Sequence, residues 1–321
     1  MMDKEEVAIE RLKFGESLSF SHYKKPLMIC YSGGKDSEVL IELAKRSGIK
    51  YEVQHSHTTA DAPETVRHVR RRFYELELAG VPCSITYPMY KGKRTSMWDL
   101  IPQKLMPPTR NVRYCCSVLK ETSGKNRVIS TGIRRAESNQ RNTREAIETI
   151  APNKANKISL PDEYENEQTY FFDDEEQDSD LHGDFLKQCQ MQSKISINPI
   201  VDWSNAEVWN YLHDCKTVCN PLYQRNNFSR VGCVGCPMAA QARYDGFHRW
   251  PQFEKMYKSA FGRMLEVRRA SGKETLWKTG DEVFRWWMED RNLEGQTVLT
   301  GVRPELAKGK QRLWEWKQPS D

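Results

Sequence analysis

Short apolar runs alternate with segments of helical periodicity along the first half of the chain. The run Leu27-Met-Ile-Cys-Tyr31 ends at a glycine-rich turn, and a helix is predicted to begin near Pro63, since proline suits the first helical position. The apolar positions that recur at helical spacing after the turn are Val39, Leu40, Leu43 and Ala44. Further strands are predicted at 51–54, 83–87 and 127–131. This alternation favours an α/β fold, a mostly parallel sheet with helices on both faces.

The chain divides into three predicted segments. Residues 1–26 form an N-terminal helical segment, residues 27–250 form the α/β domain, and residues 251–321 form a helical C-terminal extension. Within the domain, residues 162–180 carry ten carboxylates and no Lys or Arg. A segment so poor in core-forming residues predicts an acidic surface insertion.

The net charge of +5 conceals an uneven distribution. The acidic insertion carries −10, so the remaining residues carry +15. This surplus favours polyanionic partners such as nucleotides or nucleic acid, although a solvated basic surface has the same composition. No apolar run reaches the roughly 18 residues of a membrane span, and the sequence opens on acidic residues rather than an apolar leader. These features predict a cytoplasmic protein without a membrane partner.

A phosphate site is predicted at the turn between the first strand and its helix. Gly33 and Gly34 allow the backbone to turn sharply and to present bare N–H groups, which attract an anion together with the helix N-terminus. Lys35 adds a full positive charge, and Ser32 and Ser37 add hydroxyl donors. The spacing differs from that of a Walker A loop.

Four of the nine cysteines stand at spacings typical of metal ligands. The C-x-x-C pair Cys233 and Cys236 can place two thiolates on one centre, and the adjacent pair Cys115 and Cys116 completes a set of four. By spacing alone this set suits zinc and an iron–sulfur cluster equally, and a metal-free arrangement is a further alternative. The other five are predicted to be structural: Cys30, Cys83, Cys189, Cys215 and Cys219.

Six further stretches follow the phosphate loop along the chain. They are Thr58-Thr-Ala-Asp-Ala-Pro-Glu-Thr65, Ser96-Met-Trp-Asp-Leu100, Arg113-Tyr-Cys-Cys-Ser-Val-Leu-Lys120, Thr131-Gly-Ile-Arg-Arg-Ala-Glu-Ser138, Asn198-Pro-Ile-Val-Asp-Trp203 and Asn220-Pro-Leu-Tyr223. With the loop, they resemble the PP-loop ATP pyrophosphatases, and within them the phosphoadenosine-phosphosulfate reductase family, over roughly residues 27 to 240. The resemblance implies an adenine nucleotide alpha-hydrolase-like fold that binds its nucleotide across the carboxyl ends of the strands.

The resemblance also implies roles for particular residues. The phosphates would be held by Ser32, Gly33, Gly34, Lys35, Asp36 and Ser37. The nucleotide pocket would be lined by Thr58, Asp61 and Glu64 and closed by Gly132 and Arg134. Catalysis would depend on Lys35, Asp36 and Arg134. Because a Cys-Cys pair with a distant C-x-x-C is similar to the pattern of family members that carry a 4Fe-4S cluster, such a cluster would be bound by Cys115, Cys116, Cys233 and Cys236.

Several of these residues also have plainer structural interpretations. Asp36 could cap the helix instead of holding a metal ion. Arg134 and Arg135 suit phosphate because guanidinium offers a bidentate fork, but an ion pair with Glu137 is the alternative.

A histidine pair and two tryptophan-containing segments could likewise either bind a ligand or serve only in packing. A second polar turn lies around Thr58 to Asp61. His55 and His57, which flank this second turn, could face the nucleotide, or they could pack internally or face solvent. The segments Arg285-Trp-Trp287 and Arg312-Leu-Trp-Glu-Trp316 could stack on bases or pack against the core.

The position of the last cysteine helps to distinguish between the reactions that members of the family catalyse. Sulfonucleotide reductases of the family attack their substrate with a mobile cysteine near the C-terminus, whereas the last cysteine here is Cys236. The chain therefore looks like the branch that hydrolyses ATP to AMP and pyrophosphate in sulfur-modification systems, including the ATPases of DNA phosphorothioation. In that mechanism ATP adenylates an oxygen of the substrate, and Mg²⁺ and Lys35 stabilise the departing pyrophosphate.

The implied partners are ATP or another adenine nucleotide, a nucleic-acid substrate, and a sulfur-transfer protein such as a cysteine desulfurase. Two alternative functions are a reductase that uses an atypical thiol such as Cys219, and a subunit that binds ATP without turning it over.

Overall fold

The structure, a computed structural model, describes residues 3–138, 141–150, 194–225, 228–239, 241–273 and 275–289. The predicted acidic insertion 162–180, Cys189 and the segment 312–316 lie outside the described residues, as does the rest of the predicted extension after residue 289.

Strands and helices alternate through the domain. The strands are β1 (Leu27–Cys30), β2 (Tyr51–Ser56), β3 (Cys83–Thr86), β4 (Met89–Tyr90), β5 (Lys93–Arg94), β6 (Arg127–Ser130), β7 (Ile147–Ile150) and β8 (Lys194–Ile197). The helices are α1 (Lys4–Tyr23), α2 (Lys35–Ser47), α3 (Pro63–Leu78), α4 (Met97–Lys104), α5 (Tyr114–Leu119), α6 (Asn205–Asp214), α7 (Pro221–Arg225), α8 (Gln241–Arg249), α9 (Pro251–Ala270) and α10 (Gly280–Glu289). A short 3₁₀ helix, η1, spans Arg135–Glu137.

A six-stranded sheet forms the centre of the molecule, in the order β3-β2-β1-β6-β8-β7. All neighbouring strands are parallel except β7, which runs antiparallel to β8 at the edge. The four strands predicted from apolar runs correspond to β1, β2, β3 and β6, and α3 begins at Pro63 as predicted. The α/β fold with a mostly parallel sheet and helices on both sides is therefore confirmed. The sequence pattern did not indicate β7 or β8.

The described residues form two hydrophobic cores, of which the first covers the sheet. The first lies between the strands and α1, α2, α3 and α6, and it includes the completely buried side chains of Ile29, Val53 and Val128. The second joins α4 and α5 to the C-terminal helices α8, α9 and α10. In that core Trp287 is buried, and Trp286 packs against Trp277 with ring centroids 4.8 Å apart. The packing interpretation is thus confirmed for Trp286 and Trp287, while Arg285 is exposed.

No helix in the described ranges has both the length and the apolar character needed to cross a bilayer.

Ile29→Ala tests the assignment of β1 to the centre of the core. Because the Ile29 side chain is 0% exposed, we expect its truncation to lower the free energy of unfolding by about 2–5 kcal/mol, measured by chemical denaturation. Leu78→Ala, at a position that is 72% exposed, is the matched control and should change stability by less than about 0.5 kcal/mol. Equal losses at both positions would contradict the assignment.

Candidate active site

The phosphate loop requires glycine at Gly33 for two independent reasons. Its φ of +74° lies in the left-handed region, and a Cβ there would stand 3.0 Å from Val69 Cγ2 and 3.2 Å from Thr65 Cγ2. The turn therefore packs directly against α3. Gly34 occupies the N-cap position of α2 without a side-chain cap, and the Ser37 hydroxyl donates to its carbonyl at 2.8 Å. The first amides of α2 have no partner within the helix and point into the turn.

Two side chains hold the loop from outside, Asn220 immediately before α7 and Tyr223 within it. Asn220 Nδ2 donates to the Gly33 carbonyl and to Thr65 Oγ1, at 3.1 Å each. The Tyr223 hydroxyl accepts a hydrogen bond from the Lys35 N–H at 3.1 Å, and burial raises the pKa of Tyr223 to about 12, so this hydroxyl stays neutral. The sequence placed both residues in a family-like stretch but assigned them no role. Their role in holding the loop is visible only from their contacts in the folded structure.

The Asp36 carboxylate lies between two cations. Lys35 Nζ is 3.0 Å from Asp36 Oδ2, and Arg134 Nε is 2.7 Å from Asp36 Oδ1. Arg134 is only 2% exposed and also donates to the Trp203 carbonyl at 3.3 Å. A Cβ on Gly132 would stand 3.0 Å from the Asp36 carbonyl carbon, so the chain after β6 approaches α2 closely. The structure thus brings Lys35, Asp36, Gly132 and Arg134 together, as predicted from the family-like segments.

Two of the plainer interpretations are wrong. Asp36 does not cap α2, because Gly34 occupies the N-cap and the carboxylate is held by Lys35 and Arg134. The arginines do not pair with Glu137 either. Arg135 pairs with Glu145 at 3.1 Å, and Glu137 pairs with Arg141.

The second turn, after β2, touches the end of β1. His55 is buried, and its Nδ1 lies 2.9 Å from the Tyr31 carbonyl. Thr58 N–H donates to Asp61 Oδ2 at 2.8 Å, which fixes the turn. Burial would raise the pKa of Asp61, but hydrogen bonding from His57 and nearby positive charge hold it below its usual value.

Glu64, the third residue predicted to line the nucleotide pocket, is directed elsewhere. Its carboxylate accepts hydrogen bonds from Arg249 Nη2 at 2.7 Å and from Trp250 Nε1 at 3.1 Å. It therefore joins the first turn of α3 to the C-terminal helices.

The four predicted metal-ligating cysteines come from two separate segments that meet at the second turn. Cys115 and Cys116 lie on α5, while Cys233 and Cys236 lie on a turn before α8. The backbones of Cys233 and Asp61 pair as an isolated bridge, and Cys233 Sγ donates to Thr58 Oγ1 at 3.3 Å. A hydrogen bond with Cys116, burial and the other two thiols raise the pKa of Cys115 well above its usual value. Cys115 is therefore close enough to the other three thiols to be influenced by each of them.

The C-x-x-C turn rests on an aromatic cluster. Gly235 has a φ of +76°, and a Cβ there would stand 2.6 Å from Phe247 Cζ and 2.9 Å from Tyr257 Cε2. The Tyr257 hydroxyl donates to the Val234 carbonyl at 3.1 Å. The helices α8 and α9 thus determine where the two cysteines lie.

The spacing of the sulfurs is relevant to the choice between zinc and a cluster. In a tetrahedral site with Zn–S bonds of about 2.3 Å, ligand sulfurs are about 3.8 Å apart. Among described residues, the one set of three donor atoms within 4.8 Å of one another belongs to His55, His57 and Asp61, and the cysteine sulfurs form no such set. No three of the four sulfurs therefore lie as close together as the ligands of a single bound zinc ion.

Cationic groups surround the cysteines. Arg113 Nη2 is 3.2 Å from Cys116 Sγ. Negative charge on Cys233 raises the pKa of Lys120, against the effect of burial. Burial raises the pKa of Cys233 to about 11, and the positive charge of Lys120 opposes this effect. The two cations would therefore compensate the charge of thiolates that bind a metal.

Of the other cysteines, three are poor nucleophiles. Burial raises the pKa of Cys30, Cys83 and Cys219 to about 11 in each case.

Comparison with known families decides the classification. The phosphoadenosine phosphosulfate reductase domain matches residues 26–239. The chain belongs to this family. The match covers the sheet, the phosphate loop and all four clustered cysteines, so the resemblance read from the motifs is confirmed.

Individual relatives of this reductase-domain protein are distant. An uncharacterised protein of Methanocaldococcus jannaschii is 25% identical over 93% of this chain and 47% of its own length, so the chain spans about half of that curated relative. The adenosine 5′-phosphosulfate reductase of Anoxybacillus flavithermus is 23% identical over 71% of this chain and 80% of its own. A solved structure, phosphoadenylyl-sulfate reductase from Candida auris, has a TM-score of 0.43 and 14% identity, covering 70% of this chain and 87% of that one.

Gly235→Ala tests whether the Cys233–Cys236 turn needs glycine to pack against the aromatic cluster. A side chain at this left-handed position would strain the backbone and collide with Phe247, so we expect the free energy of unfolding to fall by at least about 1–3 kcal/mol. Gly232→Ala is the matched control, because a Cβ there meets nothing within 4 Å. Denaturant titration of both variants gives the comparison. If the two substitutions had equal effects, Gly235 would not be needed at this turn.

Proposed function

We propose that this protein is an iron–sulfur ATP pyrophosphatase that converts ATP to AMP and pyrophosphate during the sulfur modification of a nucleic acid, as in DNA phosphorothioation. The observation that carries the proposal is the phosphate loop. Its glycine turn leads directly into the N-terminus of α2, and the first residue of that helix, Lys35, carries an ammonium. This combination suits a chain of phosphates.

The loop residues would bind and orient the triphosphate. Lys35 would exchange its contact with Asp36 for one with a phosphate oxygen, and the amides of the turn would stabilise charge on the departing pyrophosphate. Asp36 would keep its contact with Arg134, and its carboxylate is a suitable ligand for the Mg²⁺ that accompanies ATP. Gly132 approaches Asp36 closely, and Thr58 would line the nucleotide pocket from the second turn.

A concentration of arginines near the loop supports a polyanionic acceptor. Burial, together with the positive charges of Arg230, Arg144 and Arg113, lowers the pKa of Arg141 to about 10, while Asp36 opposes this effect. Guanidinium groups bind phosphate oxygens in a bidentate geometry, so a cluster of them attracts a phosphate backbone. A nucleic acid is therefore the acceptor that we infer, and a cysteine desulfurase or a related protein would supply the sulfur.

The four cysteines would hold a 4Fe-4S cluster. The proximity of Cys115 to the other three thiols, the glycine-dependent turn and the neighbouring cations fit that group. When bound, such a cluster supplies redox-active iron next to the second turn.

A reductase reaction is the second candidate, since an adenosine 5′-phosphosulfate reductase is among the relatives. Within this chain the alternative thiol, Cys219, is 6% exposed and donates to the Thr217 carbonyl at 3.7 Å. A buried thiol with a raised pKa is a poor nucleophile. The pyrophosphatase is therefore the better-supported reaction.

Lys35→Ala tests the reaction. Without the ammonium, charge on the pyrophosphate loses a stabilising partner, and we expect AMP and pyrophosphate formation to fall by about 100-fold or more. Product chromatography with Mg²⁺, ATP and DNA or tRNA measures the rate. Lys45→Ala, an exposed lysine on the same helix, should retain the wild-type rate.

Three outcomes would contradict the proposal. ATP that stays intact with every acceptor would exclude hydrolysis, and tight ATP binding without product would favour a non-catalytic subunit. Sulfite released from adenosine 5′-phosphosulfate with thioredoxin as reductant would favour the reductase.

Cys116→Ser tests the cluster separately. Loss of one thiolate ligand should reduce the iron content of anaerobically purified protein from about four atoms per chain to less than half. Iron and sulfide analysis, with the visible spectrum, provides the measurement. Cys215→Ser, at a partly exposed cysteine outside the set, should keep its iron. Zinc in the wild type, or unchanged iron in Cys116→Ser, would rule out the assignment.

A further inference from the structure

Three potential metal ligands meet beside the second turn, apart from the cysteines. His55 and His57 lie at alternate positions at the end of β2, and Asp61 follows four residues later. Their donor atoms all lie within 4.8 Å of one another. His57 Nδ1 and Asp61 Oδ2 are 3.4 Å apart, which is close to the edge of a tetrahedral site with bonds of about 2.1 Å.

Hydrogen bonds to neighbouring backbone atoms orient two of these ligands. The Tyr31 carbonyl, 2.9 Å from His55 Nδ1, can only accept, so in neutral His55 the proton resides on Nδ1 and the lone pair on Nε2. A histidine whose second nitrogen donates to a carbonyl is a common arrangement at metal sites. Asp61 is fixed in turn by the Thr58 N–H at 2.8 Å. The ligands are thus held in place by the fold itself.

A cavity gives access to the imidazoles. It has a volume of about 260 Å³ and is lined by His55, His57, Val66, Ile85, Arg70 and Arg94, among others. Because a water occupies about 30 Å³ in the liquid, the cavity has room for an ion with bound waters. The two arginines are exposed, so solvent screens their charge from the ligand atoms.

We propose that His55, His57 and Asp61 bind one divalent transition-metal ion of the Zn²⁺, Fe²⁺ or Co²⁺ class, with the remaining coordination positions open to the cavity. Two imidazole nitrogens and a carboxylate suit these ions, whereas Mg²⁺ prefers oxygen ligands alone. The site is therefore distinct from the Mg²⁺ that would accompany ATP. Exposed positions on the ion would take water or another small ligand from the cavity.

Zinc uptake by the anaerobically purified full chain tests the proposal. After treatment with a chelator and then Zn²⁺, we expect about one zinc per chain, with only nitrogen and oxygen neighbours at about 2.0–2.2 Å in X-ray absorption at the zinc edge. His57→Ala should weaken zinc affinity by at least about 100-fold in competition with a chromophoric chelator. Excess Mg²⁺ should not displace the zinc.

A matched control lies on the surface. His213 is 3.6 Å from Asp214, and both side chains are highly exposed, so His213→Ala should leave zinc affinity unchanged. Asp61→Asn, which can still accept from the Thr58 N–H, provides a second variant and should weaken affinity as His57→Ala does. Melting temperatures in chelator confirm that each variant is folded.

Two results would overturn the proposal. One is equal zinc binding by the wild type, His57→Ala and Asp61→Asn. The other is sulfur at about 2.3 Å from the bound zinc, which would place the ion among the cysteines. Neither readout depends on ATP turnover.

Discussion

The Asp36 carboxylate is shared between two cations, and the arrangement of the phosphate loop depends on that sharing. Arg134 holds one oxygen from the buried end of the chain after β6, and Lys35 holds the other. Removing one partner of a buried pair leaves an uncompensated charge, which is strongly destabilising. The pairing also keeps the Lys35 ammonium next to the turn before any phosphate binds. A phosphate would therefore meet a charge that is already positioned, which reduces the ordering needed on binding.

The C-terminal helices determine where the cysteines lie, as the ion pairs of Asp36 do for the phosphate loop. The turn that carries Cys233 and Cys236 rests on Phe247, Tyr257 and Trp287 through Gly235, and Trp287 Nε1 donates to the Pro108 carbonyl at 2.5 Å. The second core thus positions both halves of the cysteine set, one directly and the other through α4 and α5. A C-x-x-C spacing allows a metal centre, but packing from distant helices determines whether the sulfurs converge.

Features that depend on neighbouring residues could be predicted from the sequence, whereas features that depend on residues far away in the chain could not. The strand–turn–helix of the phosphate loop was predictable because its apolar run and glycines are contiguous. The edge strand β7 was not, because its antiparallel pairing with β8 is decided by partners far away in the chain. The capping interpretation of Asp36 was wrong for the same reason, since Arg134 is 98 residues away. Asn220 and Tyr223 also contact the loop only after folding.

The second turn is the element that the loop, the cysteines and the histidines have in common. Its Thr58 hydroxyl accepts from Cys233 Sγ, and its Asp61 backbone pairs with Cys233 while the Asp61 carboxylate faces His57. His55, at the end of the preceding strand, is bonded to the carbonyl of Tyr31, immediately before the loop. These contacts form a continuous path of short polar interactions between the three places. A substitution in this turn would therefore remove hydrogen-bond partners from more than one of them.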